Sequence, residues 1–192
     1  MSAIVSVFIA TSLDGFIARK DGGLDWLDDA NAVVPQGEDC GYHAFIDSVD
    51  TLIMGRKTYE KVLSFGNWPY EKTPVVVLSR SPITFPAELP STVTHSSETP
   101  RALVDRLSNE GAKHLYVDGG NTIQRFLLEG LVDELTITVI PIILGEGTPL
   151  FGPLQKDVSL NHLGTKAFDF GFVQLKYSVV GMADNSLTQS GG

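Results

Sequence analysis

The chain has 192 residues, 14 basic against 23 acidic side chains, a formal net charge of −9 and one cysteine. That length suits one domain whose core is large enough to stand without disulfides, and a lone Cys40, with no Cys/His cluster at ligand spacing, argues against a disulfide framework and a metal site. The negative balance repels nucleic acid and anionic membranes, so any anionic ligand must be held by local donors.

The start, Met1-Ser2-Ala3-Ile4-Val5, lacks a basic stretch leading into an apolar segment, and no apolar run approaches a span of roughly 18 residues. A cytoplasmic address is therefore expected. Residues 4–10 are short, β-branched and apolar, which predicts a buried strand, and Asp14-Gly15 supplies the turn after it. Trp26 is expected in the core. Tyr42, Phe45, Ile46 and Val49 repeat at helical spacing and predict a helix over about 38–49. Residues 51–54, 74–78 and 114–117 have the composition of central strands, each running at once into polar or glycine residues.

Thr99-Pro100 is a cap and first-turn pair opening a helix with Leu103, Val104 and Leu107 on one face and Gly111 at its end. A further helix is expected over about 121–129, stopped by Gly130. Residues 132–143 form a long β-rich segment, 144–149 a turn-rich loop and 170–180 a last strand. The simplest architecture is a single α/β domain over 1–182, with a mostly parallel central sheet, antiparallel strands added late, and a frayed tail over 183–192.

Three strand ends carry the chemistry. Gly55-Arg56-Lys57-Thr58 places free backbone N–H groups, two cations and a hydroxyl where a helix begins, an arrangement suited to a phosphate or equally to an ordinary strand-to-helix turn. Leu78-Ser79-Arg80-Ser81 sets a cation between hydroxyls, where a planar guanidinium could grip a second phosphate. Asp118-Gly119-Gly120-Asn121-Thr122 opens another helix with side chains missing, so that a ligand can approach the backbone. None of these is a Gly-x-Gly-x-x-Gly fingerprint or a P-loop, which counts against Rossmann dehydrogenases and P-loop NTPases.

The order of the segments Thr11-Ser12-Leu13-Asp14-Gly15-Phe16-Ile17-Ala18, Leu24-Asp25-Trp26, Met54-Gly55-Arg56-Lys57-Thr58-Tyr59-Glu60 and Leu78-Ser79-Arg80 resembles dihydrofolate reductases and their relatives. The later segments Asp118-Gly119-Gly120, Leu131-Val132-Asp133-Glu134-Leu135 and Pro141-Ile142-Ile143-Leu144-Gly145-Glu146-Gly147 are similar to the reductase domain of bacterial riboflavin biosynthesis, the RibD carboxyl-terminal domain, here standing alone. The resemblance implies a three-layer dihydrofolate-reductase-like fold and an NADPH-dependent reductase acting on a C=N or C=O bond of a pyrimidine-like, pterin-like or sugar-linked small molecule. It resembles 5-amino-6-(5-phosphoribosylamino)uracil reductase in this respect, and it implies a homodimer joined through residues 132–143 and the late apolar segment.

Carried over by matching motif, the resemblance implies that Ala10 and Ile17 border the nicotinamide. Gly55, Arg56, Lys57 and Thr58 would hold the adenosine side of the pyrophosphate, Leu78, Ser79 and Arg80 the 2′-phosphate, and Gly119, Gly120, Asn121 and Thr122 the rest of the pyrophosphate. Asp39 and Asp118 are the candidate catalytic acids, and His43 lies one helical turn beyond Asp39. An acid at the start of a helix also serves the dipole without catalysis. A non-catalytic NADPH-binding or sensing protein is the alternative class. A phosphate-ester hydrolase would need a metal-binding carboxylate cluster or an activated nucleophile, and neither can be assembled from this sequence.

Overall fold

In the computed structural model, which describes residues 2–180, the chain builds one eight-stranded sheet and a small two-stranded ribbon. The elements are β1 (Ile4–Ser12), β2 (Phe16–Ala18), α1 (Asp25–Asn31), α2 (Tyr42–Ile46), β3 (Thr51–Gly55), α3 (Arg56–Leu63), β4 (Val75–Leu78) and β5 (Val93–Ser96). They continue as α4 (Pro100–Asn109), β6 (His114–Asp118), α5 (Gly120–Leu128), β7 (Glu134–Ile140), β8 (Thr148–Pro149), β9 (Ser159–Ala167) and β10 (Val173–Val180). The sheet order is β5-β4-β3-β6-β1-β7-β10-β9. All strands from β5 to β7 in that order pair in parallel, and β10 and β9 are added antiparallel. β2 pairs with β8 as the separate ribbon.

This is the expected mostly parallel α/β architecture. Its central strands are apolar on both faces because both faces are covered. Ile53, Val76, Leu115 and Val117 pack with Leu103, Val104, Ile123 and Phe126, which come from α4 and α5. Their alternating neighbours Leu52, Met54, Val75, Val77 and Tyr116 pack on the opposite face with Tyr59 of α3 and Tyr42 and Phe45 of α2. A period of two with both phases buried produces the continuous apolar runs of the sequence.

The sheet order also decides where a ligand can sit. The chain passes outward from β3 through α3 to β4, then returns to insert β6 between β3 and β1 before α5 carries it across to β7. The connections leaving β3 and β6 therefore diverge, which opens a crevice at their carboxyl ends.

Several expectations are corrected. The helix expected over 38–49 is only Tyr42–Ile46, because Cys40 and Gly41 take left-handed backbone angles of φ 55° and φ 83° and turn the chain just before it. β9 has no apolar alternation and lies almost wholly exposed at the sheet edge; its pairing with β10 makes it a strand. Within the segment 132–143, through which a homodimer is expected, residues 134–140 form β7, which lies between β1 and β10 in the sheet. Four-residue β5 and α1 were not anticipated from local pattern; among the residues of α1 only Trp26 is buried. The tail expected at 183–192 lies outside the described residues.

Trp26 does belong to the core, at 2% exposure, packed with Ile140, Phe168 and Phe172. Its Nε1 is buried without a hydrogen-bond partner. Trp26→Ala is expected to cost roughly 3–5 kcal/mol of stability in urea unfolding. Trp26→Phe is expected to cost clearly less, because it keeps most of the ring and removes the unsatisfied donor.

Candidate active site

The amino termini of α3 and α5 meet at the crevice. Gly55 ends β3 and precedes α3, and Gly119 follows Asp118 at the end of β6 and precedes α5; neither helix start is closed by a side-chain cap. By contrast, α4 is capped in the ordinary way, with Thr99 Oγ1 accepting from Ala102 N at 3.3 Å. The first-turn N–H groups of α3 and α5 are thus available to an anion, with the positive ends of both helix dipoles behind them.

Glycine is required for this approach. A Cβ at Gly55 would lie 2.8 Å from Thr122 Oγ1, and one at Gly119 would lie 2.2 Å from Thr58 Oγ1. Gly119 also has φ +91°, a conformation that other residues rarely adopt. The two hydroxyl residues of the helix starts, Thr58 and Thr122, are each packed against the other helix's glycine.

The resulting cavity has a volume of about 920 Å³. Its wall includes the expected residues Ala10, Ile17, Asp39, Gly55, Arg56, Lys57, Thr58, Leu78, Ser79, Asp118, Gly119, Gly120, Asn121 and Thr122. Sequence segments 55–58, 78–79 and 118–122 therefore face one space. Arg80 is exposed and does not form part of this wall. Arg56 instead engages the 79–82 loop: its Nε and Nη2 donate to Ser79 Oγ at 3.0 and 2.9 Å, and Nη2 also donates to the carbonyls of Ser81 and Pro82 at 2.7 and 2.9 Å. Arg56 is thus a strut that sets the position of Ser79.

The cavity wall also includes Phe8, Tyr42, Tyr70 and Tyr116. The Tyr116 hydroxyl donates to the Phe8 carbonyl at 2.9 Å, while Tyr42 and Tyr70 share a hydrogen bond. Burial raises all three phenols above their ordinary range, and the nearby Asp118 charge adds to the effect. Asp118 is enclosed by protein yet reachable from the cavity. Burial pushes its carboxyl up to about 6, against a partial opposing effect from Gly119 N, which donates to Oδ1 at 2.8 Å.

The other acid has the opposite environment. Asp39 accepts from the backbone N–H groups of His43 and Gly41, each at 2.8 Å, and from the His43 ring, and these bonds, the His43 N–H first, hold its carboxyl down at about 2. Asp39 is a carboxylate at any physiological pH, whereas Asp118 can carry a proton. His43 is 83% exposed in its side chain and does not line the cavity. Asp14 serves the turn, accepting from Ser12 Oγ and from the backbone N–H groups of Leu144 and Gly145.

Tyr70 and Tyr116 were missed as site residues. The signal for Tyr116 is present, since it lies two residues before Asp118 on one strand and so shares its face. Tyr70 lies between α3 and β4, outside any periodic element, and only the folded chain brings it to Asp118.

Residues 3–174 match the family described as the RibD C-terminal domain. The chain belongs to the RibD C-terminal domain family. It is 42% identical over 175 residues to the uncharacterized protein YwjB of Bacillus subtilis (strain 168), covering 89% of this chain and 95% of that protein. The crystal structure of a Shewanella sp. PV-4 protein named for riboflavin biosynthesis superposes with a TM-score of 0.86 at 41% identity, covering 94% of this chain and 99% of that one. The Thermotoga maritima diaminohydroxyphosphoribosylaminopyrimidine deaminase/5-amino-6-(5-phosphoribosylamino)uracil reductase shares the fold, with a TM-score of 0.66 at 17% identity over 93% of this chain and 57% of that one. The chain therefore has the dihydrofolate-reductase-like fold of the RibD reductase domains.

Within this family fold, the contact between helix starts has a direct test. Gly119→Ala is expected to destabilise by at least about 1–3 kcal/mol, from the left-handed backbone alone, with the Thr58 clash added. Gly22 has a similar φ of +83° but open space around it. Gly22→Ala should therefore cost less than Gly119→Ala in parallel urea titrations.

Proposed function

We propose that this RibD-family protein is an NADPH-dependent reductase that transfers a hydride to a C=N or C=O bond of a heterocyclic or sugar-linked small molecule. The observation that carries this reading is the pairing, within one cavity, of two uncapped helix starts with a protonatable Asp118 and a tyrosine cluster. The side-chain-free backbone at Gly55, Gly119 and Gly120 fits a dinucleotide pyrophosphate, which needs close approach to N–H groups. NADPH, when bound, supplies the hydride.

The chain's own residues do the rest. The first-turn N–H groups of α3 and α5 hold the pyrophosphate, aided by Lys57, Thr58, Asn121 and Thr122. Ser79, positioned by Arg56, holds the 2′-phosphate, and the exposed Arg80 reaches the same group from the loop. Ala10 and Ile17 border the nicotinamide and keep water from that face. Asp118 carries the proton delivered to the acceptor atom, in the manner of a carboxylic acid kept neutral by its surroundings. Asp39 remains an anion and accepts hydrogen bonds from the acceptor. We place the protein in the cytoplasm, and we assign the homodimer contact to edge strand β9, where Leu160 and Leu163 are exposed.

The purified protein is expected to oxidise NADPH in the presence of a member of a panel containing dihydrofolate, a ribosylaminopyrimidine and simple aldehydes. Tight NADPH binding with silence across the panel would favour a sensing role and overturn the reductase assignment. Because Asp118 acts in its protonated form, the chemical step should slow as pH rises through about 6. Asp118→Asn should lower the rate by roughly 10²–10⁴-fold and abolish that limb of the pH profile.

Arg80→Ala tests the 2′-phosphate assignment separately. It is expected to weaken NADPH binding by about tenfold, the loss of one charge-assisted hydrogen bond, while leaving NADH binding little changed. Equal losses for both dinucleotides would remove Arg80 from the 2′-phosphate site.

A further inference from the structure

The loop that follows β4 is held by residues outside it. Residues 79–82 belong to no helix or strand, so their position depends on individual ties. The Ser79 N–H extends the β4–β5 ladder by one bond, donating to the Ser96 carbonyl at 3.0 Å. The Ser79 carbonyl lies beyond the last paired residues, Leu78 and Ser96, and a side chain meets it instead: His95 Nε2 is 2.8 Å away. A carbonyl oxygen can only accept, so His95 carries a proton on Nε2 and donates it to this bond.

The platform behind these bonds is anchored in turn. Ser96 is buried, its hydroxyl donates to Glu98 Oε2 at 2.7 Å, and Glu98 pairs with Arg106 of α4 at 2.9 Å. On the far side of Arg80, the Ser81 carbonyl accepts from Arg56 Nη2 at 2.7 Å and from Ser79 Oγ at 2.8 Å. Both neighbours of Arg80 are thus tied, while Arg80 itself is exposed. Its guanidinium is displayed from a fixed base.

We infer that His95 is a positioning residue for dinucleotide selectivity. By holding the Ser79 carbonyl it fixes the start of the 79–82 loop, and with it the placement of the Ser79 hydroxyl and the Arg80 guanidinium toward a 2′-phosphate. This rests on the cofactor reading above. His95 does not line the cavity, so it acts through Ser79 and not by touching the dinucleotide. Without the imidazole donor the carbonyl is left unpaired and the loop can shift, and directional bonds to one phosphate weaken on small displacements. The backbone donors at the starts of α3 and α5 take no part in this bond, so a dinucleotide lacking the 2′-phosphate is held as before.

The test is calorimetric titration of the full-length protein with NADP⁺ and with NAD⁺, which needs no turnover. His95→Leu keeps bulk without a donor and is expected to weaken NADP⁺ binding by about three- to tenfold, with NAD⁺ binding changed by less than about twofold. His95→Gln carries an amide N–H at similar reach and should restore most of the NADP⁺ preference. His95→Thr removes the donor in a smaller residue suited to a strand and should match the Leu variant; it serves in its place if Leu is not accommodated on β5. Combined with Arg80→Ala, His95→Leu should cost less NADP⁺ affinity than it does alone, because the two act on one contact. Equal losses for both dinucleotides would reduce His95 to a structural role and overturn the inference. So would an NADP⁺ preference unchanged by Leu and Thr, a Gln variant no better than Leu, or additive losses with Arg80→Ala. A native chain that binds both dinucleotides equally, or neither, would sink the 2′-phosphate assignment and this inference with it. A native preference that survives every substitution at His95 sinks the inference alone.

Discussion

The structure depends on the close approach of two helix amino termini at the divergence between β3 and β6. Gly55 faces Thr122 and Gly119 faces Thr58 at distances that leave no room for a Cβ. With no side-chain caps, the first turns of α3 and α5 keep their N–H groups for a ligand, and the sheet order directs both helices away from the same crevice. In a chain of net charge −9, this is how an anion can be held without a large basic patch: the donors are backbone groups and the attraction is local. Gly120, whose missing side chain admits Ile17 Cδ1, extends the same constraint to the β2 ribbon.

The second organising feature is the divergence of two carboxyls that line one cavity. Asp39 sits on a tight turn whose N–H groups point at it, so its anion is stabilised. Asp118 sits at the end of a central strand, near the phenols of Tyr42, Tyr70 and Tyr116, and burial favours its neutral form. Two carboxyls of the same chemistry are thus held in different states by surroundings alone, Asp39 as an anion and Asp118 toward its neutral form. Tyr42 joins the two regions, since it begins α2 just after the Asp39 turn and shares a hydrogen bond with Tyr70 beside Asp118.

Much of this was legible in the linear chain, for physical reasons that can be named. Buried parallel strands must be apolar on both faces, so residues 51–54, 74–78 and 114–117 announce themselves, and Thr99-Pro100 marks a helix start because both residues act locally. The helix around Tyr42 was overextended because periodicity registers apolar spacing and not the left-handed angles of Cys40 and Gly41. β9 was invisible because an exposed edge strand needs no apolar face of its own and takes its structure from its partner, β10. Arg80 drew attention as the cation of its loop, yet the guanidinium bonded to Ser79 comes from Arg56, 23 residues earlier.

By itself, then, the sequence determined the fold class, the segments 55–58, 78–80 and 118–122 as donor-rich strand ends, and both carboxyls as candidates, since these are consequences of local composition and spacing. Only the tertiary structure decided that segments 55–58, 78–79 and 118–122 face one cavity, that Asp118 can hold a proton while Asp39 cannot, and that Tyr70 belongs with them. Those outcomes depend on burial and on contacts between residues distant in the chain, and neither is encoded in any one stretch of it.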